Sequence, residues 1–327
     1  MKRSSVLLLI LGLCLMAFMF YSEGSRKTIE SLGDIRPLPV IAGLAFSGLS
    51  LCIRALKWNI LIELSAGRRI AFRSFLPIYL FNVMVANVTP ARSGEAAAPA
   101  LFKRYLGVNL GSGFTVIIVD RLLELVALVI GMLAAVFYYR AIMPPDSIAD
   151  RFITTALLVC VAIAVVAMTI IASKKVFMVV TSWGCNRPRS VFVRNLFTFF
   201  RKEGEAFYEG VRSIGGRLIV RRLAPLTLCA WICDIFAVSL LFGSVMDVRF
   251  ADLAMTFFLA VGVALASFIP SGLGSVELTY VYFLKLRGYD AALAAGGMAV
   301  TRLGPLILIA GAGALSALIL RRRTAAA

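Results

Sequence analysis

Apolar stretches close to 20 residues long recur along the chain, separated by short polar or basic segments, and within each stretch apolar residues occupy every helical face. A bilayer core about 30 Å thick takes roughly 20 helical residues to cross. The pattern therefore predicts membrane-spanning helices near residues 6–20, 39–56 (extending toward 64), 112–139, 153–173, 223–245 and 291–320. Barrel strands would alternate apolar and polar positions, and 154–172 is apolar throughout. The first stretch follows Lys2 and Arg3, with no small-x-small cleavage site before Ser22, and reads as a retained span rather than a leader.

Two further stretches are interrupted at their centres. Residues 75–105 contain Asn87-Val-Thr-Pro-Ala-Arg-Ser-Gly-Glu95, and residues 253–286 contain Phe268-Ile-Pro-Ser-Gly-Leu-Gly-Ser-Val-Glu277. Proline removes a backbone donor and breaks a helix, so each stretch is expected to be a re-entrant helical hairpin. Non-helical backbone of this kind is tolerated at membrane depth only where protein or a wet cavity covers it.

Composition fits that reading. Of 327 residues, 61% are hydrophobic and only 16% charged, against about 45–50% and about 25% in soluble domains. The formal charge of +17 would suggest nucleic acid in a soluble protein. Here topology absorbs it: alternating the loops puts 22 of the 34 Lys and Arg on one side, 11 of them in residues 174–222, and eight on the other. That asymmetry makes both termini cytoplasmic, in the cytoplasmic (inner) membrane. Hairpin one then enters from the inner side and hairpin two from the outer. The basic connection 174–222, with Phe192, Leu196, Phe199, Phe200, Phe207 and Val211 between charges, suits an interfacial helix on an anionic inner leaflet. Arg54, Lys57 and Trp58 read as inner-interface markers, and Trp183, Trp231, Tyr138 and Tyr139 as interface anchors.

The two halves correspond. Pro90 precedes Gly94 and Glu95, as Pro270 precedes Gly274 and Glu277; Arg121 and Arg302 follow the prolines at nearly equal spacing, and Gly131 and Gly311 follow the arginines. Each half, 6–140 and 151–320, is span, span, hairpin, span. Three crossings per half give opposite orientations, an inverted-topology repeat. The fold expected is one all-α integral membrane domain of six full spans and two oppositely inserted re-entrant hairpins.

Candidate chemistry sits where charge is costly. Arg54, Arg92, Arg121 and Arg302 fall at apparent membrane depth, where each charge costs roughly 2.5–3.5 kcal/mol on insertion scales. Broken helices direct positive dipole ends at the break, and the planar guanidinium donates two parallel hydrogen bonds to phosphate oxygens. Arg92, Arg121 and Arg302 are therefore candidate phosphate contacts. Asp120 and Glu124 share a helical face, with Arg121 within reach of Glu124. Glu95, Asp120, Glu124 and Glu277 are candidates for holding hairpins or balancing charge, so pairing of Arg121 and Arg302 with Glu124, Glu95 or Glu277 is an alternative to phosphate contact. Asp234 reads as a structural acid or a proton carrier. With no histidine and no Walker A sequence, triad catalysis and ATP hydrolysis are not expected. Cys229 and Cys233, at i,i+4, have no second pair to make a zinc site; neither metal nor cofactor is expected.

The stations Asn87-x-x-Pro90-x-Arg92-x-Gly94-Glu95, Asp120-Arg121-x-x-Glu124, Pro270-x-Gly272-x-Gly274-x-x-Glu277 and Arg302 resemble the lysylphosphatidylglycerol synthase transmembrane-region family. Its members include the flippase domain of the bacterial multiple peptide resistance factor. The resemblance implies movement of a lipid between leaflets, by a stand-alone member without a synthase domain that is not itself an enzyme. The substrate class is phosphatidylglycerol or its aminoacylated form; a polyprenyl phosphate or polyprenyl-linked glycan is the rival substrate. A membrane-embedded transferase using Glu95, Asp120 and Glu124 is the rival class. Expected partners are the membrane lipid and the anionic leaflet, with a second copy of the chain and a separate lipid-modifying enzyme compatible with the reading, and no nucleic acid.

Overall fold

The computed structural model describes residues 33, 35–143, 147–173, 207–267, 269 and 272–325, with isolated positions at 175, 176, 179, 182 and 204. All elements among them are helical. The first expected span, 6–20, and most of the basic aromatic stretch 190–211 lie outside the described residues.

Helix α1, Pro37–Ala66, opens on a proline, which loses nothing in a first turn where the N–H has no partner. The first interrupted stretch is α2, Phe72–Val88, a 3-10 segment Pro90–Ala97, and α3, Ala98–Leu106. Helix α4, Leu110–Arg140, starts where the Asn109 side chain accepts from Ser112 N at 2.7 Å. Helix α5, Ile148–Ala172, is capped in the same way by Ser147. A helical turn at Gly216–Leu218 and a π-helical turn at Ile219–Leu223 lead into α6, Ala224–Gly243. The second interrupted stretch is α7, Phe250–Ser267, and α8, Ser275–Leu286; α9, Ala291–Ala325, completes the described chain.

Among the described residues, five helical stretches are long and apolar enough to cross a membrane: 37–66, 149–169, 216–243, 250–267 and 291–323. Helix α4 has 31 residues, about 46 Å of helix, but carries Asp120, Arg121 and Glu124 within it. Large apolar side chains such as Leu38, Phe137, Leu158 and Ile307 are exposed on the outer surface, where a hydrocarbon solvent rather than a core would receive them.

Both interrupted stretches break where the pattern predicts. At the first, Thr89 Oγ1 accepts from Gly94 N at 2.7 Å and donates to Ala86 O at 3.1 Å, tying the 3-10 segment back to the end of α2. A side chain at Gly94 would meet Thr89 Oγ1 at 2.8 Å and backbone at 2.9 Å, so only glycine fits. At the second, Gly272 and Gly274 take φ of +62° and +79°, a region open to glycine.

Packing between the halves is reciprocal. Helix α1 lies along α6, with Gly43 against Leu241; α2 packs on α9, and α7 on α4; α3 meets α4 as α8 meets α9. Gly131 of α4 leaves the space that the Phe258 ring of α7 fills, and Gly313 of α9 does so for Met84 of α2. Gly311, which matches Gly131 in spacing after the arginine, has nothing within 4 Å of an added side chain, and the close approach on α9 falls at Gly313. Around Asp252, the C-terminal ends of α4 and α8 and the start of α7 converge: its fully buried carboxylate accepts from Tyr138 and Tyr289 hydroxyls at 2.8 Å, Arg287 Nε at 2.6 Å and Arg249 Nε at 3.0 Å.

Candidate functional site

One turn of α1 carries Arg54 and Lys57, and both point at acids of other helices. Arg54 Nη1 lies 2.5 Å from Glu124 Oε1 on α4, and Nη2 lies 2.7 Å from Asp234 Oδ2 on α6. Lys57 is 0% exposed, its Nζ 2.7 Å from both Asp120 Oδ1 and Glu124 Oε1, and donates to Thr227 Oγ1 at 3.2 Å. The Asp120 contact is an ion pair without hydrogen-bond angles, since that oxygen has no hydrogen-bond partner among the described residues. Trp231 Nε1 donates to the other oxygen of Glu124 at 2.7 Å. Charges this deep are tolerated because each has an opposite partner within contact distance.

Each long helix also sends an arginine to the hairpin of its own half. Arg121 Nε is 3.4 Å from Glu95 Oε2, and its Nη2 is 3.3 Å from Asp120 Oδ2. Arg302 Nε donates to Glu277 Oε1 at 2.7 Å and Nη2 to Gly272 O at 3.5 Å. The Gly272 carbonyl is available because the break leaves it outside regular helix. Proline does the same inside α9: Pro305 cannot donate to Thr301 O, one residue before Arg302.

These groups border one cavity of about 880 Å³. Arg54, Arg121 and Arg302 line it together with Glu95, Asp120, Glu124 and Asp234; hairpin one adds Asn82 and Asn87, and hairpin two adds Gly272, Val276 and Tyr280. Much of the remaining wall is apolar, from Leu51, Leu128 and Val238 to Phe257 and Ile309. The Asn82 amide and the Tyr280 hydroxyl are buried without a hydrogen-bond partner among the described residues. The arrangement can hold an anion between guanidinium groups and leave space for a polar appendage; among the described residues no group of three His, Cys, Asp or Glu side chains is set to hold a metal ion.

Of the residues expected from sequence, Arg121, Arg302, Glu95, Asp120, Glu124, Asn87 and Gly272 line the cavity, and Glu277 reaches it through Arg302. Gly94 and Gly274 shape the breaks without being among the lining residues. Pro270 lies outside the described residues, as do the side chains of Pro90 and Arg92. Four readings are corrected. Glu124 turns to Arg54, Lys57 and Trp231, while the ion pairs of Arg121 are with Glu95 and Asp120. Arg54 and Lys57 are members of the charged cluster, because α1 extends to Ala66 and its interfacial end lies beyond them. Trp58 is buried beside Tyr79 and Phe102, and Trp231 is buried on Glu124, so neither anchors at an interface. Tyr139 is buried too, its hydroxyl 2.7 Å from Thr256 Oγ1. Two cations at i,i+3 inside an apolar helix were the available signal for α1; nothing local to α6 indicates which helix its lone acid would face.

The fold and the cavity define a class: a multi-pass α-helical membrane protein whose broken helices surround a charged interior site. The chain belongs to the lysylphosphatidylglycerol synthase TM region family, whose family model matches residues 5–313. Over 315 residues it is 24% identical to a UPF0104 membrane protein of Pyrococcus horikoshii, with 92% of each chain covered.

Proposed function

We propose that the protein moves a phosphate-containing lipid between the leaflets of the cytoplasmic membrane, with phosphatidylglycerol or its aminoacylated form as substrate. The observation that carries this reading is the meeting of Arg121 and Arg302, one from each half, at a single cavity that is apolar over much of its wall. Carrying a headgroup through hydrocarbon requires stripping water from an ion. Guanidinium forks replace that water with fixed donors, while the acyl chains stay in lipid.

The reciprocal packing of the halves supports an inverted repeat with both hairpins re-entrant, and the Lys and Arg asymmetry supports cytoplasmic termini. In that arrangement the cavity can open to either side by rocking of one half against the other. Glu95 and Glu277 hold the arginines to the hairpin breaks; a phosphate competes for the same donors, so ligand binding and hairpin position are linked. The protein acts by binding and movement, with no bond made or broken.

The test is reconstitution of the full chain in liposomes, followed by leaflet exchange of labelled phosphatidylglycerol, aminoacyl-phosphatidylglycerol and a polyprenyl phosphate. One of them is expected to exchange faster than in protein-free vesicles, and Arg121→Ala and Arg302→Ala each to slow that exchange at least about tenfold, the loss of one charge-assisted contact. Acceleration of none removes the proposal; a covalently altered lipid replaces it with the transferase reading.

A further inference from the structure

The charges in and around the cavity do not balance around an added anion. Five carboxylates, on Glu95, Asp120, Glu124, Asp234 and Glu277, share four cations, on Arg54, Lys57, Arg121 and Arg302. The side chain of Arg92 is not among the described residues; counting it as a fifth cation makes the array neutral. On either count, a phosphodiester entering the site adds one negative charge in a place where unpaired charge is costly. A proton accepted by one of the five acids removes that excess.

Asp234 is the acid best placed to accept it. The other acids are held more tightly or buried more deeply. Glu124 has Arg54, Lys57 and Trp231; Asp120 has Lys57 and Arg121; Glu277 lies buried against Arg302, and Glu95 against Arg121. Asp234 meets one cation among the described residues, Arg54, and at 27% side-chain exposure it is the most open of the five. Arg54 of α1 meets it directly; the other charged groups that line the same cavity from helices packed on α6 are Asp120, Arg121 and Glu124 of α4 and Arg302 of α9, and Lys57 of α1 lies behind them on Asp120 and Glu124. The charged residue of α7, Asp252, is held by Arg249 and Arg287 away from the cavity lining. Protonation of Asp234 would also release Nη2 of Arg54, a cavity-lining donor that sequence reasoning did not assign to the ligand.

We infer that Asp234 is a proton-binding site coupled to the ligand: the phosphate of a net-anionic lipid such as phosphatidylglycerol takes the Arg54 guanidinium as the Asp234 carboxylate takes a proton, so each such lipid moves together with one proton. This rests on the transport reading above and names its coupling ion. By linkage, a proton taken up on binding makes affinity rise as pH falls, by up to about tenfold per pH unit.

The experiment adds short-chain phosphatidylglycerol to the full-length protein in detergent under weak buffering, with a pH indicator reporting protons and retained lipid counted by mass spectrometry. Uptake of about one proton per lipid bound is expected, with none for phosphatidylethanolamine, whose headgroup carries no net charge. In Asp234→Asn the uptake falls to near zero and affinity loses its dependence on pH. Asp234→Glu, which keeps a carboxylate, retains the uptake. Lipid binding to the unaltered protein with no proton taken up overturns the inference and leaves the transport reading standing; so does full uptake in Asp234→Asn. Failure of phosphatidylglycerol and a polyprenyl phosphate alike to bind takes both down.

Discussion

Two buried clusters of this protein look alike in composition and differ in how their charges are satisfied. At Asp252 one carboxylate receives two guanidinium groups and two phenol hydroxyls, and Arg287 also donates to Tyr138 at 3.1 Å while lying over its ring. Every acceptor direction there is taken, and none of these residues lines the cavity of about 880 Å³. Around Arg54 and Lys57 the acids among the described side chains outnumber the cations, the groups are spread over α1, α4, α6, α9 and the two hairpin breaks, and a cavity of about 880 Å³ opens beside them. A carboxylate saturated by donors fastens helices together; cations shared among competing carboxylates next to open space can exchange partners. The difference separates a clamp from a binding site.

The sharpest way to break that contrast is at Lys57. Lys57→Met keeps the length of the side chain but leaves Asp120 without its buried ammonium, and the expected cost is about 3–5 kcal/mol of stability, read as denaturation in detergent. A loss no larger than that of an exposed site would mean that Asp120 and Glu124 are not held as ions. Next comes the clamp itself: Asp252→Ala unties α7 and α8 from Tyr138 and leaves Arg287 half-buried without its acid, at about 2–4 kcal/mol. Lipid exchange per folded molecule should be unchanged, and a selective fall in exchange would show that the two clusters are not separate in role.

Smaller effects test the reciprocal packing that brings both halves to the cavity. Gly131→Ala would drive a methyl group into the Phe258 ring and is expected to cost about 1–3 kcal/mol, with Gly313→Ala similar against Met84, whereas Gly311→Ala should stay within about 0.5 kcal/mol. Equal melting temperatures for Gly131→Ala and Gly311→Ala would contradict the packing of α4 on α7. Smallest of all is Asp247→Asn, which removes an exposed ion pair with Arg36 at 3.0 Å; water screens such pairs, and a shift beyond about 1 kcal/mol would be unexpected.

Much of this architecture is written locally. The apolar runs mark α4, α5, α6 and α9 to within about five residues and the start of α1, whose end at Ala66 runs past Lys57 and Trp58, because a helix in hydrocarbon satisfies its own backbone and needs only length and apolar composition. The breaks are equally local, since Pro90, Gly94, Gly272 and Gly274 decide them through a missing donor, a missing side chain and positive φ. The spacing of Arg121 and Arg302 from those breaks was enough to mark both as cavity residues.

Pairing of charges was decided by the fold alone. In sequence, Lys57 and Trp58 sit near a basic loop and read as an interface, and Trp231 as another, because no local rule reveals an acid 67 or 107 residues away. Glu124 was free to pair with Arg121 one turn along; it turns to α1 because the packing of α1 between α6 and α4 puts Arg54 and Lys57 within 2.7 Å of it. Hydropathy and backbone chemistry act over one helix turn and are carried by the chain itself, whereas compensation of buried charge acts between helices and exists only once they are packed.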